Sequence, residues 1–174
     1  MKKKLLISFI FSTLFLFTTQ AQTQLKWNAL YWAIGVTNMS VETKLSDRWT
    51  FNGDIIYSPW ESLSGNPMKF GQLITEGRYY PKGAFEGFYL GGYAGYHKMF
   101  KFTKWNYINK DRQQKGDGIS LGATVGYQIK INTRWALEVY AAYGWQHSEY
   151  KGYVSSTGEM YADKNGSGEW LPYK

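Results

Sequence analysis

The strongest candidates for chemistry in this sequence are its two histidines. His147 is followed by Ser148 and Glu149, the residue types of a base, a nucleophile and an orienting acid. In a strand, successive side chains point to opposite faces, so His147 and Glu149 share one face and Ser148 lies on the other. A regular strand therefore excludes a triad, and we expect His97, near the end of another strand, to be a solvated rim residue. We predict no catalytic residues.

Metal and cofactor sites are not indicated either. Two histidines, no cysteine and no close acidic cluster give no ligand spacing that a metal ion would recognise. We predict neither a metal site nor a cofactor.

The elements that must carry these residues are strands, because the hydrophobic pattern has a period of two. In residues 119–131, every second residue is apolar, as in Leu121, Val125 and Ile129, and the residues between them are small or polar. Each of these two alternating sets is called a parity below. Residues 135–146 repeat the pattern, and both segments are long enough to cross a bilayer at a tilt. Weaker alternation marks five more strands, at residues 26–35, 37–45, 49–58, 69–80 and 87–101.

The connections between these strands alternate in length. Residues 46–48, 81–86 and 132–134 are short turns, whereas residues 61–67, 103–117 and 150–168 are longer and polar. Outer-membrane barrels have short periplasmic turns and longer external loops. The sequence thus predicts an all-β, antiparallel up-and-down membrane β-barrel of about eight strands, in one domain over residues 22–174.

The first 21 residues have the features of a signal peptide. Lys2, Lys3 and Lys4 precede a 13-residue apolar run over residues 5–17, and Ala21 ends a small-residue pattern. The run is shorter than the roughly 20 residues of a membrane helix. We expect cleavage after Ala21 and export to the outer membrane.

The composition agrees with an exported barrel. Aromatic residues make up 19% of the chain while mean hydropathy is −0.44, as expected where apolar and polar faces alternate. The segment after residue 21 has 17 basic and 13 acidic residues, with no basic stripe, so we predict no nucleic-acid partner. The absence of cysteine excludes disulfides and an acylated-cysteine anchor.

Charged residues on the inward parity are expected to face the lumen. Small barrels fill their interior with side chains, and buried charges must pair. We expect a structural ion-pair network, most of all among Glu76, Arg78, Lys130 and Glu138, with a proton or ion path as the alternative. The full inward set is Glu42, Lys44, Asp54, Glu76, Arg78, Lys130 and Glu138.

Tryptophans near the strand ends are expected to mark the membrane boundaries. Trp49 and Trp135 each follow an arginine in a short turn, and we assign them to the periplasmic interface. Trp60 and Trp145, with Tyr96, are assigned to the other interface. The alternative is that these aromatics fill the core of a soluble barrel.

The order of segments resembles a Bacteroidota domain-of-unknown-function family of small outer-membrane barrels, themselves similar to the transmembrane domain of outer membrane protein A. The resemblance covers nearly all of the chain after the signal and implies fold and location without an assigned activity. The matching stretches are Asn28-Ala29-Leu30-Tyr31, Trp49-Thr50 with Tyr57-Ser58-Pro59-Trp60, Glu76-Gly77-Arg78-Tyr79-Tyr80, residues 88–96, and Arg134-Trp135 with Tyr143-Gly144.

The last strand is the weak point of this prediction. The candidate for an eighth strand is residues 169–174, which is too short to span a bilayer and ends on lysine. In the family that the chain resembles, a glycine-rich strand follows a segment similar to Trp170-Leu171-Pro172-Tyr173-Lys174. We therefore expect the last strand to be short or missing, through truncation or irregular closure.

The sequence favours a non-enzymatic structural or accessory barrel whose external loops supply any recognition surface. Its expected partners are outer-membrane lipids; a protein partner is unknown. A basic run in one external loop either meets lipopolysaccharide phosphates or is simply solvated. Its members are Lys98, Lys101, Lys104, Lys110, Arg112 and Lys115.

Two alternatives remain open. A soluble lipocalin-like barrel would invert the faces, so that Leu121, Val125, Ile129 and Leu137 would line a cavity for an apolar ligand. A lipid-modifying outer-membrane enzyme would use His147 or His97.

Overall fold

A computed structural model describes residues 22–61, 65–103 and 111–172, and within them no side chain of residues 164–167 or 171–172. The predicted signal peptide over residues 1–21 lies outside the described residues. No helix in these ranges has the length and apolarity that crossing a membrane requires.

Eight antiparallel strands form a single sheet in which each strand pairs with the next, and one short helix connects the first two strands. The predicted all-β, up-and-down architecture is confirmed. The elements are β1 (Thr23–Lys26), α1 (Ala29–Ala33), β2 (Thr37–Lys44), β3 (Trp49–Ser58), β4 (Met68–Tyr79), β5 (Gly87–Phe102), β6 (Arg112–Lys130), β7 (Ala136–Val154) and β8 (Met160–Pro172).

The period-two pattern explains the curvature of the sheet. In β6, Ser120, Thr124 and Gln128 are buried, whereas the alternating Leu121 and Val125 are exposed. The sheet curls around the polar parity, so that inward side chains of β1 meet those of β6 and β7. The polar side chains are therefore inside and the apolar ones outside. This interior is called the lumen below.

The predicted common level of two tryptophans, combined with the strand register, gives the tilt of the strands. Trp49 lies at the short-turn end of β3, and Trp135 lies at the short-turn end of β7. When the two are set at the same height, β7 is shifted by six residues relative to β3, across four strand spacings. Six residues span about 20 Å along a strand and four spacings about 19 Å, so the tilt is about 45°. The paired row that fixes this offset is Trp49, Tyr79, Leu90, Val125 and Ala141.

The predicted strand over residues 26–35 is wrong. The segment is the four-residue β1 followed by α1, because Asn28 caps a helix: its Oδ1 accepts from the backbone N–H of Leu30 at 2.9 Å and of Tyr31 at 3.2 Å. Gly35, at φ +79°, lets the chain turn back into β2.

The polar segment over residues 150–168 is also not a loop. It contains the end of β7, a turn at residues 155–159 with Gly158 at φ +75°, and most of β8. β8 has 13 residues, so it is longer than expected. It pairs with β7 from Tyr143 upward, while residues 136–142 of β7 pair with β6 alone in the described chain. β1 and β8 do not pair in the described residues, and the sheet there is not closed.

Candidate functional site: a charged lumen and an apolar outer face

Arg78 lies at the centre of an ion-pair network in the lower lumen, the half nearest the short turns. Its Nη1 donates to Oε2 of Glu42 at 2.7 Å and to Oε1 of Glu138 at 3.1 Å. Its Nη2 donates to Oε2 of Glu76 at 2.9 Å. The arginine is only 2% exposed. The guanidinium is thus paired with three carboxylates, as an enclosed charge requires, although its Nε has no hydrogen-bond partner among the described residues.

A second cation and two tyrosines complete the network. Lys26 donates to both Glu42 and Glu138. The hydroxyl of Tyr80 donates to Oε1 of Glu42 at 2.9 Å. The Arg78 guanidinium stacks over the ring of Tyr89, 4.6 Å from its centroid, and the Tyr89 hydroxyl donates to Oε1 of Glu138 at 2.5 Å. Three carboxylates thus share two cations and the dipoles of two phenols.

The network joins strands that are far apart in the sheet. Glu42 lies on β2, Arg78 on β4 and Glu138 on β7, while Lys26 comes from β1. Asn28 adds a further contact, since its Nδ2 donates to the hydroxyl of Tyr140 on β7 at 2.6 Å. These side chains hold the first strand near the seventh where no backbone pairing between the two is described.

Most of the predicted lumen charges lie in this interior. The structure brings together Glu42, Glu76, Arg78 and Glu138. Asp54 is buried higher up, where Ser40 and Asn52 donate to it. The prediction that Lys130 belongs to the lumen network is wrong. Lys130 is the last residue of β6, its side chain is exposed, and it makes no ion pair with a described residue. Lys44 instead pairs with the exposed Asp47 at 3.1 Å.

Lys26 is the network residue that sequence reasoning missed. Lys26 falls within a predicted strand but outside the inward set of charges expected from the sequence. The available signal is parity, because Lys26 and Gln24 are the half-buried positions of β1 while Thr23 and Leu25 are exposed.

Glycines on the inward parity make room for the large side chains. A Cβ at Gly126 would lie 2.5 Å from the ring of Tyr89, and one at Gly91 would lie 2.5 Å from Oε1 of Glu76. Such separations are shorter than a van der Waals contact, so a larger residue at either position would displace the neighbouring side chain.

A histidine–serine pair lies in the upper lumen. Nε2 of His97 is 3.0 Å from Oγ of Ser148, and the two residues are 3% and 5% exposed. The expectation of a solvated rim histidine at position 97 is therefore wrong. His97 lies on β5 and Ser148 on β7, and Gly118 of β6 lies between them. Because Gly118 has no side chain, the imidazole can reach across β6. Nδ1 of His97 has no hydrogen-bond partner among the described residues, so no orienting acid completes a triad.

The outer face of the sheet is apolar over a defined band. Large exposed hydrophobic side chains occupy the outward positions of β2 to β7, among them Met39, Ile55, Leu73, Leu90, Val125 and Val139. The residues that the lipocalin alternative places around a cavity, namely Leu121, Val125, Ile129 and Leu137, are all exposed on this outer face. They do not line an interior cavity.

The predicted interfacial tryptophans border this band. Trp49 packs on Tyr79 and Trp135 on Trp27 at the short-turn end, with ring centroids 5.1 and 6.1 Å apart. Trp145 lies ten residues along the strand from Trp135, which at the 45° tilt is about 23 Å in height. Trp60 is exposed beyond the upper end of β3. Trp145 is half-buried and stacks on His147.

The basic residues of the upper end are spread over paired strands. Lys98 lies opposite Asp117, Arg112 lies over the ring of Tyr161 at 5.0 Å, and Lys115 over that of Tyr153 at 5.6 Å. Lys101 lies opposite Lys69 on β4. Lys104 and Lys110 lie outside the described residues.

Comparison with known proteins places the chain in one family. A search of the curated proteins and of the solved structures finds no match. A family model with the description "Protein of unknown function (DUF3575)" matches residues 5–174, which is nearly the whole chain. The chain therefore belongs to the DUF3575 family, whose function is not established.

Proposed function

We propose that this protein is a non-enzymatic β-barrel of the bacterial outer membrane, a structural or accessory component with recognition surfaces on its external side. The observation that carries the proposal is the inverted distribution of side chains. Charges such as Arg78 and Glu76 are enclosed, whereas large apolar side chains are exposed. Exposed apolar surface on this scale marks contact with a membrane or with another protein.

The height of the apolar band supports contact with lipid. The Trp135 and Trp145 levels are about 23 Å apart by strand rise and tilt, and outer-membrane barrels have an apolar band about 25 Å tall between aromatic girdles. Tryptophan belongs at such levels because its ring is apolar and its N–H needs a polar partner. A contact surface for one protein partner would not need aromatic borders on both sides of the curled sheet.

The connections support an orientation. The connections at the short-turn end cover residues 45–48, 80–86 and 131–135. At the opposite end, residues 59–67 and 103–111 form longer connections, whereas residues 155–159 form a five-residue turn. β6 and β7 have 19 residues each, so they continue past the Trp145 level into a polar ribbon. We assign the ribbon end to the cell exterior, and export by the predicted signal peptide over residues 1–21 is part of the proposal.

Catalysis is not part of the proposed role. His97 and Ser148 form a hydrogen-bonded pair, but both side chains are buried in the lumen wall. A nucleophile needs an approach for its substrate and a base held by a third group. A structural role in the upper lumen accounts for the pair without either.

Membrane fractionation of the expressed chain, followed by a heat-modifiability gel, tests the proposal. We expect the protein in the outer-membrane fraction after an alkaline carbonate wash, with a faster-migrating band before boiling than after it. The matched control is a peripheral outer-membrane protein that the wash removes. Recovery in the soluble periplasm would contradict the proposal and return attention to a soluble barrel.

A further inference from the structure

Two lysines lie directly opposite each other on the outer face at the ribbon end. Lys69 of β4 pairs in register with Lys101 of β5, next to a bulge, and both are half-buried. Residues directly opposite in an antiparallel pair have Cβ atoms about 4.5–5.5 Å apart, and like charges there are destabilising. Neither lysine forms an ion pair with a described residue. Lys98 differs, because Asp117 lies opposite it.

The lysine pair lies a few ångströms above the level of the upper aromatic border. Lys69 lies ten residues above Tyr79, which is about 23 Å in height at the 45° tilt, and Tyr79 itself lies about 3 Å above the level of its pairing partner Trp49. Two ammonium groups with no ion-pair partner in the described part of the chain thus lie close to where the proposed apolar band meets water. This is the level at which the head groups of a membrane lie.

An apolar groove approaches the lysine pair from the side of α1. It has a volume of about 600 Å³, within the roughly 300–1,000 Å³ typical of ligand pockets. Its apolar walls come from β1 to β3 and from the helix, through Leu25, Trp27, Trp32, Met39, Ile55 and Tyr57.

Tyr57 is the groove residue that lies nearest to the lysine pair in the strand register. Its ring contacts that of Phe100, with centroids 6.5 Å apart, and both lie close to Gly71. Gly71 is the pairing partner of Tyr57 and lies two residues from Lys69, so Lys69 is one strand across and two residues up from the groove. By strand spacing and rise, the two Cα atoms are roughly 8 Å apart. A lipid head group can bridge such a distance to its own acyl chain.

We infer that this surface binds an anionic membrane lipid, with its phosphate between Lys69 and Lys101 and an acyl chain in the groove beside Trp32. The inference rests on the proposed membrane location. The lysine pair supplies the positive charge that a phosphate neutralises, and the groove is continuous with the apolar outer face. A zwitterionic lipid would fill the groove equally well but would gain less from the lysines.

Native mass spectrometry of the detergent-solubilised full chain measures this preference directly. The probes are phosphatidylglycerol and phosphatidylcholine with identical acyl chains. We expect phosphatidylglycerol to bind the unaltered protein more tightly, and the double substitution Lys69→Ala and Lys101→Ala to weaken its binding about 30-fold, from about 1 kcal/mol for each lysine near a membrane surface. The matched control, Lys82→Ala with Lys130→Ala, removes two exposed lysines at the opposite end and leaves the preference unchanged.

Two further variants keep the test decisive. Lys69→Glu converts the like-charge pair into an opposite-charge pair, so it retains the fold and loses the preference for phosphatidylglycerol. Trp32→Ala removes one wall of the groove, so it weakens the binding of both lipids and leaves the ratio of their affinities unchanged.

Three results would overturn the inference. These are equal affinity for the two lipids in the unaltered protein, an unchanged preference in Lys69→Glu, and displacement of phosphatidylglycerol by excess inorganic phosphate, which would indicate a site for free anions. Heat modifiability and fractionation of the same preparations are read separately. A protein that passes those tests but shows no lipid preference refutes the lipid site and leaves the barrel proposal standing.

Discussion

Replacing Arg78 by methionine removes the centre of the lumen network and keeps most of the side-chain volume. The arginine is 2% exposed and its guanidinium donates to Glu42, Glu76 and Glu138. Without it, Glu42 and Glu138 share the single charge of Lys26, and Glu76 loses its ion pair with Arg78. Removing one partner of a buried ion pair costs about 3–5 kcal/mol, because the remaining charge is left uncompensated. We expect Arg78→Met to lower the free energy of unfolding by at least that amount.

Equilibrium urea unfolding in detergent micelles, followed by tryptophan fluorescence, measures the loss. Lys130→Met is the matched control, because it removes a basic residue that is exposed and has no ion-pair partner among the described residues. Its cost should stay within about 0.5 kcal/mol. Arg78→Met combined with Glu138→Gln should recover part of the loss, with a coupling of about 0.5–3 kcal/mol, since one uncompensated charge is gone. If Arg78→Met costs no more than Lys130→Met, the network does not stabilise the fold and the reasoning is refuted.

Three further predictions concern the packing of the wall, the outer face and the histidine–serine pair. Gly122→Ala should destabilise the protein by about 1–3 kcal/mol, since its Cβ would lie 2.5 Å from a backbone oxygen of β7, whereas Gly53→Ala, with nothing within 4 Å, should be neutral in the same urea titration. Val125→Arg should cost about 2–4 kcal/mol in lipid vesicles, the value for arginine near the bilayer midplane, whereas a cost within about 0.5 kcal/mol, typical of a water-exposed site, would argue against lipid contact. His97→Ala and Ser148→Ala should leave the lipid A composition of the host membrane unchanged by mass spectrometry, and an altered acylation pattern in either variant would restore the enzyme hypothesis.

The sequence predicts the regular strands well because their alternation is strong. β3 has the predicted bounds, and in β6 the apolar and polar parities fall on the outer and inner faces as expected. Prediction from alternation fails where the two faces of a strand have similar polarity. In the β7–β8 ribbon above Trp145, both faces are polar, so a hairpin joined by Lys151 and Asp163 has the composition of a loop.

Pairings across the lumen cannot be derived from sequence parity alone. Parity assigns Glu42 and Arg78 to the interior, but the contact of Lys26 with Glu138 depends on how far the sheet curls. The contact of His97 with Ser148 depends on the small residue between them, because a side chain at Gly118 would occupy the space of the imidazole. Both contacts join strands that are not neighbours, so they depend on the combined register of all the strands between them.

Site-directed spin labelling tests lipid contact at the outer face most directly. The chain has no cysteine, so single cysteines at Val125, Thr124 and Ser156 can be labelled without altering other positions. In lipid vesicles we predict that the label at Val125 collides readily with oxygen and hardly at all with a water-soluble nickel complex. The label at Ser156 should show the reverse, and the one at Thr124, inside the wall, should be shielded from both. A label at Val125 as accessible to the nickel complex as that at Ser156 would contradict the membrane barrel.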